Sequence, residues 1–138
     1  MVRRILILSA VLILSLDLFP FTIRVRGIED RGAPIYLLVF AAEEGFPDDR
    51  EGGVFSYMAT PAEAEGGIEI PLEEGRYAVT LFQDINGDSR LNKWFFGKPR
   101  EPYGVSGARR RPLRSPNFEN SCINFKSGKT FYIELWQP

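Results

Sequence analysis

Alternating apolar and polar side chains mark the first strand that the sequence predicts. Phe21, Ile23 and Val25 share one side of an extended segment, and polar residues occupy the positions between them. A period of two residues is typical of a strand that buries one face. Five later segments carry the same alternation, or a short apolar run between turn residues. These segments are residues 34–41, 66–72, 76–82, 121–125 and 130–136.

Two of these segments predict more than a strand. Residues 34–41 are apolar on both faces, which is typical of a strand at the centre of a sheet. Tyr77 follows Gly75 and predicts a tyrosine corner, in which the hydroxyl group bonds nearby main chain. No segment has a convincing helical period, although Phe55–Glu65 has room for one helical turn. The pattern therefore predicts an all-β protein, a single antiparallel β-sandwich of six to eight strands.

Residues 1–20 have the pattern of a secretory signal peptide. Two arginines precede an apolar run, Ile5–Leu16, that only two serines interrupt, and Asp17 ends it. A basic start with about 7–15 apolar residues directs export, whereas a membrane-spanning helix needs about 20. We therefore expect a periplasmic or secreted protein, not integral to the membrane once processed, with one domain at residues 21–138. A buried first strand and an uncleaved anchor are the alternatives.

Composition narrows the chemistry that the chain can support. The 138 residues include no His and a single Cys, Cys122. The absence of His excludes Ser-His-Asp and Cys-His catalytic sites and His-containing zinc sites, and one Cys excludes an internal disulfide. Any metal is therefore expected to be a hard cation held by oxygen atoms. Seventeen basic and eighteen acidic residues give a net charge of -1, so we expect no nucleic acid partner.

The long connection after the fourth predicted strand resembles one bacterial family. Tyr77–Asn92 ends in Asp-Ile-Asn-Gly-Asp-Ser-Arg-Leu-Asn, Phe96–Ser106 contains Gly-Lys-Pro-Arg-Glu-Pro-Tyr-Gly, and Pro116–Ser121 precedes the closing pair of Phe-rich strands. The order of these pieces is similar to the exported family known as domain of unknown function 2141. The resemblance implies a periplasmic or secreted location and a prealbumin-like or immunoglobulin-like sandwich. It implies no established activity.

This chain departs from the family pattern at polar positions. Gln83 stands where the family usually has His, and Asn92 stands where it usually has Asp. Gly107–Arg111 replaces a stretch that is commonly rich in Asn. If the family carries a metal or polar cluster here, Asn92 lowers its negative charge in this chain.

The loop after the fourth predicted strand has the spacing of a calcium ligand set. Asp84, Asn86 and Asp88 place side-chain oxygens at alternate positions, and Arg90 adds a main-chain carbonyl. Asn92 adds a further oxygen directly or through water. Calcium binds about six to eight oxygen atoms in such loops. Calcium is therefore the one cofactor that the sequence indicates.

The same residues have a simpler structural interpretation as a turn. Asn86 and Gly87 form a favoured tight-turn pair, and the carboxylates of Asp84 and Asp88 can accept hydrogen bonds from the turn's own amides. This loop is not an EF-hand, because its Gly comes two positions early and a Phe stands where a bidentate Glu is required. Strong metal binding would need the carboxylate of Glu101 or Glu119 to approach the loop as an additional ligand.

Basic and aromatic residues are interleaved in the later part of this connection. The candidate partner-binding residues are Lys93, Trp94, Arg100, Glu101, Tyr103, Arg109, Arg110 and Arg111. Such a surface suits an anionic envelope component, either a polysaccharide or a lipid head group, or another exported protein. A solvated loop whose aromatic side chains pack on the sandwich is the alternative.

Three functions stay open from the sequence alone. The first is a non-enzymatic binding or accessory protein whose functional loop spans residues about 84–117. The second is a carboxylate-based hydrolase of envelope carbohydrate or esters, with Glu101 and Asp84 as the candidate groups. The third is a structural or adhesive module that presents the basic, aromatic loop to another protein. The chain contains no recognisable catalytic constellation, which favours the first.

Overall fold

The computed structural model describes residues 20–93, 99–107 and 115–138. The signal peptide predicted at residues 1–20 lies outside these ranges except for its last residue. Within them, eight strands and two short α-helices follow one another along the chain. The strands are β1 Phe21–Arg26, β2 Ile35–Phe40, β3 Phe55–Ala59, β4 Ile68–Ile70, β5 Gly75–Gln83, β6 Tyr103–Val105, β7 Cys122–Phe125 and β8 Thr130–Glu134. The helices are α1 Pro61–Gly66 and α2 Phe118–Ser121.

The strands form two sheets that pack as a sandwich, which confirms the predicted all-β class. One sheet has the order β4-β1-β8, and the other has the order β3-β2-β5-β6, with β7 also paired to β5. One strand pair differs from the expected antiparallel arrangement, because β1 and β8 run parallel. The turn at residues 126–129 does not close a hairpin between β7 and β8. It carries the chain from one sheet to the other, where β8 runs beside β1 in the same direction.

An aromatic cluster forms the centre of the core between the sheets. Phe21 of β1 stacks on Phe125 of β7 with 4.5 Å between ring centroids, and Phe131 of β8 meets Phe125 edge-on at 4.6 Å. Phe21 and Phe125 are fully buried. Burying one such side chain stabilises the fold by about 1.5–3 kcal/mol. The aromatic richness of the sequence is therefore used to join the two sheets.

β2 lies between β3 and β5 and is buried on both faces, as its apolar pattern predicted. Leu37 and Val39 belong to the core between the sheets. Leu38 and Phe40 belong to a second apolar cluster on the outer face of the five-stranded sheet, against which Phe46 packs. The connection after β2 therefore covers that outer face with an aromatic side chain.

Two strands lie in segments that the sequence pattern assigned to connections. β3 falls within the polar connection after β2, where three consecutive exposed residues hide the alternation, and β6 has only three residues. The helical turn expected within Phe55–Glu65 is α1, which follows β3. Thr60 caps this helix: its side chain accepts a hydrogen bond from the Glu63 amide, and the Glu63 carboxylate accepts one from the Thr60 amide. Pairing with neighbouring strands, rather than local pattern, creates β3 and β6.

Two hydrogen-bonded features fix the ends of β5 and β6. The Tyr77 hydroxyl donates to the Glu73 carbonyl at 2.9 Å, which confirms the predicted tyrosine corner. β6 and β7 share one edge of β5, and Ser106 fills the gap between them. Its hydroxyl accepts from the Val79 amide at 2.8 Å and donates to the Ser121 carbonyl at 2.6 Å. The segment around β6 is thereby anchored close to the loop that follows β5.

Candidate functional site

The candidate site begins at the C-terminal end of β5, which is tied to the connection between β1 and β2. The Asp84 amide donates to the Pro34 carbonyl at 2.9 Å. The buried side-chain amide of Gln83 donates to the carbonyls of Asp30 and Ala33 at 2.7 and 3.0 Å. The start of the loop is therefore held in place before its first turn.

Asp84 organises the turn that follows it. Its side chain is 3% exposed, and its carboxylate accepts hydrogen bonds from the amides of Gly87, Asp88 and Ser89 at 2.9, 3.2 and 2.8 Å. Gly87 and Ser89 have positive φ angles of 77° and 61°. A left-handed backbone is costly for a residue other than Gly, and the amide bonds to Asp84 hold Ser89 in it. The turn interpretation of this segment is therefore confirmed at the level of its hydrogen bonds.

Glu101 closes the same loop from a distant position in the chain. Its side chain is 4% exposed. One carboxylate oxygen accepts from the amides of Ile85 and Asn86 at 3.1 and 3.5 Å, and the other accepts from the Asn92 amide at 3.1 Å. The side chain was expected on an exposed partner-binding surface, but its carboxylate is buried against the loop. Glu101 thus joins the two ends of the loop through main-chain amides.

Asp88, Asn86 and Asn92 form a hydrogen-bonded network on the exposed side of the loop. The Asn86 side-chain amide donates to the Asn92 side-chain oxygen at 2.7 Å, and the Asn92 amide group donates to Asp88 at 2.8 Å. The Arg90 main-chain amide donates to the other Asp88 oxygen at 2.9 Å. The hydrogen bond from Asn92, and then that from Arg90, lower the pKa of Asp88 below its ordinary value. Asp88 therefore stays anionic beside the two buried carboxylates.

Three carboxylates converge at this loop. Asp84, Asp88 and Glu101 each place one oxygen within 4.8 Å of the other two. This Asp/Asp/Glu group could hold a metal ion. The sequence indicated that Glu101 or Glu119 must fold in for strong binding, and Glu101 does so. Glu119 instead pairs with Arg76 at 2.7 Å on another part of the surface.

The described members of the basic, aromatic segment lie close to this loop. Lys93 pairs with Asp48 of the connection after β2, and Arg100 donates its main-chain amide to Asn92 at 2.7 Å. Tyr103 belongs to β6, and its ring meets that of Trp136 edge-on at 5.4 Å. Four other candidate partner-binding residues lie outside the described residues: Trp94, Arg109, Arg110 and Arg111.

The structure adds contacts to the loop that the sequence did not suggest. The Tyr36 hydroxyl on β2 is 2.8 Å from the Ser89 hydroxyl. Arg50 donates to the Ser89 carbonyl at 3.4 Å and lies 5.2 Å above the centre of the Tyr36 ring. No sequence signal points to this contact, because residues from three separate segments meet only after the sheet has formed.

Comparison with known proteins agrees with the motifs. Within the described ranges, no helix has the length and apolar character needed to cross a membrane. No curated protein and no solved structure matches the chain. A family described as an uncharacterized protein conserved in bacteria, DUF2141, matches residues 23–132, which include the Asp84 loop and Glu101. The chain therefore belongs to this bacterial family, as the order of its motifs predicted.

Proposed function

We propose that this chain is an exported, non-enzymatic binding or accessory protein whose Asp84 loop binds a calcium ion. The observation that supports a cation is the convergence of Asp84, Asp88 and Glu101. The first two belong to one turn, and the third comes from the segment before β6. Export is supported by the basic and apolar start of the sequence.

The hydrogen bonds of the two buried carboxylates leave room for a metal ion. A carboxylate has about four acceptor positions, and Asp84 and Glu101 each use three of them for main-chain amides. A cation can therefore be added without removing those amide bonds. It would also relieve the repulsion between three like charges that lie close together.

The nature of the ligands favours calcium over other cations. All candidate ligands are oxygen atoms, which suit hard cations. Asn86, Asn92 and the Arg90 carbonyl are the additional ligands that the spacing predicts. Calcium accepts about six to eight oxygen atoms in irregular geometry, whereas magnesium requires near-octahedral geometry and keeps several waters. A loop that is fixed by its own amide bonds cannot easily adjust to the stricter ion.

The same contacts support a binding role over the hydrolase alternative. Asp84 and Glu101 are buried and their oxygens are directed at main-chain amides, so neither carboxylate is presented to a substrate. The chain also contains no His that could serve as a general base near neutral pH.

Thermal unfolding with calcium or with a chelator tests the cation proposal. Calcium at one hundred times its dissociation constant should add about 2.7 kcal/mol of stability, and magnesium should add less. Glu101→Gln should reduce the calcium response, because the amide is a weaker ligand. Glu119→Gln is the matched control, since Glu119 lies away from the loop and pairs with Arg76. Identical melting curves in calcium and chelator would contradict the proposal.

A substrate screen tests the non-enzymatic part separately. Wild type and Glu101→Gln should show the same absence of turnover with esters and glycosides. Turnover by the wild type that Glu101→Gln abolishes would favour the hydrolase. If an anionic polysaccharide or lipid is the partner, its binding should weaken with salt, and also when Arg109, Arg110 and Arg111 are replaced by Gln.

A further inference from the structure

Exposed apolar side chains are concentrated at β3. The described residues include five large hydrophobic side chains that are well exposed, and three of them lie on β3 or directly before it. Val54 is 50% exposed, Tyr57 is 41% exposed and Met58 is 57% exposed. Tyr57 and Met58 are consecutive residues of β3 and therefore lie on opposite faces of the sheet, so a strand added at this edge would contact both.

β3 also forms a free edge of the five-stranded sheet. It pairs with β2 on one side, and no strand among the described residues pairs with its other side. Natural edges are usually protected by Lys and other charged residues, or by Pro. Residues 52–62 contain no charged side chain, and the single Pro in this stretch, Pro61, follows the strand.

We propose that the free edge of β3 binds an extended, uncharged segment of another protein that carries basic residues at its ends. The bound segment would add a strand to the five-stranded sheet. Main-chain hydrogen bonds would supply affinity, and contacts with Val54, Tyr57 and Met58 would supply the apolar part. The binding does not depend on the cation site, because β3 contributes no residue to it.

The charges at the two ends of β3 select this partner. Asp49 and Glu51 are exposed shortly before the strand, and Glu63 is exposed shortly after it. Asp49 and Glu63 each accept a hydrogen bond from a main-chain amide, whereas Asp48 pairs with Lys93 and Glu65 pairs with Arg31. Basic residues at both ends of an added strand would therefore meet acidic residues of this chain.

The same charges argue against a second copy of this chain as the occupant. Two copies would pair their β3 strands antiparallel about a two-fold axis. The acidic beginning of one β3 would then lie beside the acidic end of the other, and like charges repel. Arg50 offsets only part of this repulsion, because residues 49–63 contain three acidic residues and one basic residue.

Peptide binding to the intact mature protein tests this proposal. The probe is a labelled peptide with a Val-Thr-Val-Thr-Val core and two Lys at each end, and its control has two Glu at each end. Fluorescence anisotropy should show that the Lys peptide binds at least about tenfold more tightly, with weaker binding as salt increases. Hydrogen exchange should show that the Lys peptide protects amides of Phe55–Ala59.

Variants of the exposed side chains give a second, independent readout. Tyr57→Ser and Met58→Ser should each weaken peptide binding by about tenfold. Tyr132→Ser is the matched control, because Tyr132 is 50% exposed on β8 of the other sheet, and it should leave binding unchanged. The proposal is overturned if neither peptide binds, or if both bind equally well. It is also overturned if the protein forms dimers through β3 that Met58→Ser dissociates.

Discussion

The two long connections of this sandwich are held in opposite ways. The connection between β2 and β3 is anchored by Phe46, whose ring meets those of Phe40 and Phe118 edge-on at 5.5 and 5.6 Å. The connection between β5 and β6 is anchored by the carboxylates of Asp84 and Glu101. Each carboxylate accepts hydrogen bonds from three main-chain amides. Apolar packing offers no ligand to a cation, whereas the carboxylate oxygens of the second connection can also bind one.

We therefore expect the connection between β5 and β6 to respond to calcium, and the connection between β2 and β3 to have a structural role only. Both connections lie beside the same sheet, and they touch where Arg50 bonds the Ser89 carbonyl and where Asp48 pairs with Lys93. A change in the carboxylate loop can therefore be measured against an internal reference in the same molecule.

The largest effect is expected from Asp84→Ala. The substitution removes the carboxylate acceptor of the Gly87 and Ser89 amides and one of the two acceptors of the Asp88 amide, and hydrogen bonds to a charged group contribute about 1.5–3 kcal/mol each. Urea unfolding should show a loss of about 3 kcal/mol. The variant should also lose any stabilisation by calcium. Calcium stabilisation of Asp84→Ala equal to that of wild type would remove this residue from the cation site.

Phe46→Ala tests the other connection and should have a smaller effect. Phe46 is only partly buried, so the loss in urea unfolding should be about 2 kcal/mol, below the range for a fully buried Phe. The calcium response should be unchanged, because Phe46 contributes no oxygen to the loop. A lost calcium response would show that the two connections are not independent.

Acid should destabilise the carboxylate loop through Asp88. The pKa of Asp88 is lowered in the folded protein by Asn92 and Arg90, so its contribution to stability is complete above the unfolded pKa of about 3.8. That contribution is lost as the pH falls through the lower, folded pKa. Asp88→Asn should therefore reduce the dependence of stability on pH in the acid range. A pH dependence of Asp88→Asn in the acid range equal to that of wild type would contradict the assignment.

The smallest effect concerns Cys122, which packs against the outer apolar cluster. Burial raises the pKa of its thiol, which Arg76 lowers by a smaller amount. The neutral thiol therefore favours the folded state up to the unfolded pKa, and that contribution is lost as the pH rises through the folded pKa. Alkylation near neutral pH should be slower in the folded than in the urea-unfolded protein. Equal rates would show that burial does not protect the thiol.

Local patterns were sufficient to predict most of the fold. Strands whose alternation is set by burial, such as β1 with Phe21, Ile23 and Val25, were predicted within one or two residues of their ends. β2 was recognised as central because both of its faces are apolar. β3 was missed because Ser56, Tyr57 and Met58 are all exposed, and an edge strand needs less alternation. β6 was missed because its three residues become a strand only by pairing with β5.

Only the part of the site whose residues lie close together in sequence could be predicted. Asp84, Asn86, Asp88 and Asn92 lie close in sequence, and their spacing indicated a turn or a calcium loop. The sequence named Glu101 as a partner-binding, catalytic or metal-binding residue without deciding among these roles, because its place depends on the pairing of β6 with β5. The Tyr36 contact depends on the sheet order and leaves no trace in the local pattern.

A calcium titration of the isotopically labelled protein, followed by its amide chemical shifts, tests the central claim most directly. Four of the amides that donate to Asp84 and Glu101, those of Ile85, Gly87, Ser89 and Asn92, should shift together and saturate with a single dissociation constant. The amide of Phe46 should stay in place. If calcium leaves the chemical shifts of the four loop amides unchanged, the three carboxylates only stabilise the turn, and the proposed cation site does not exist.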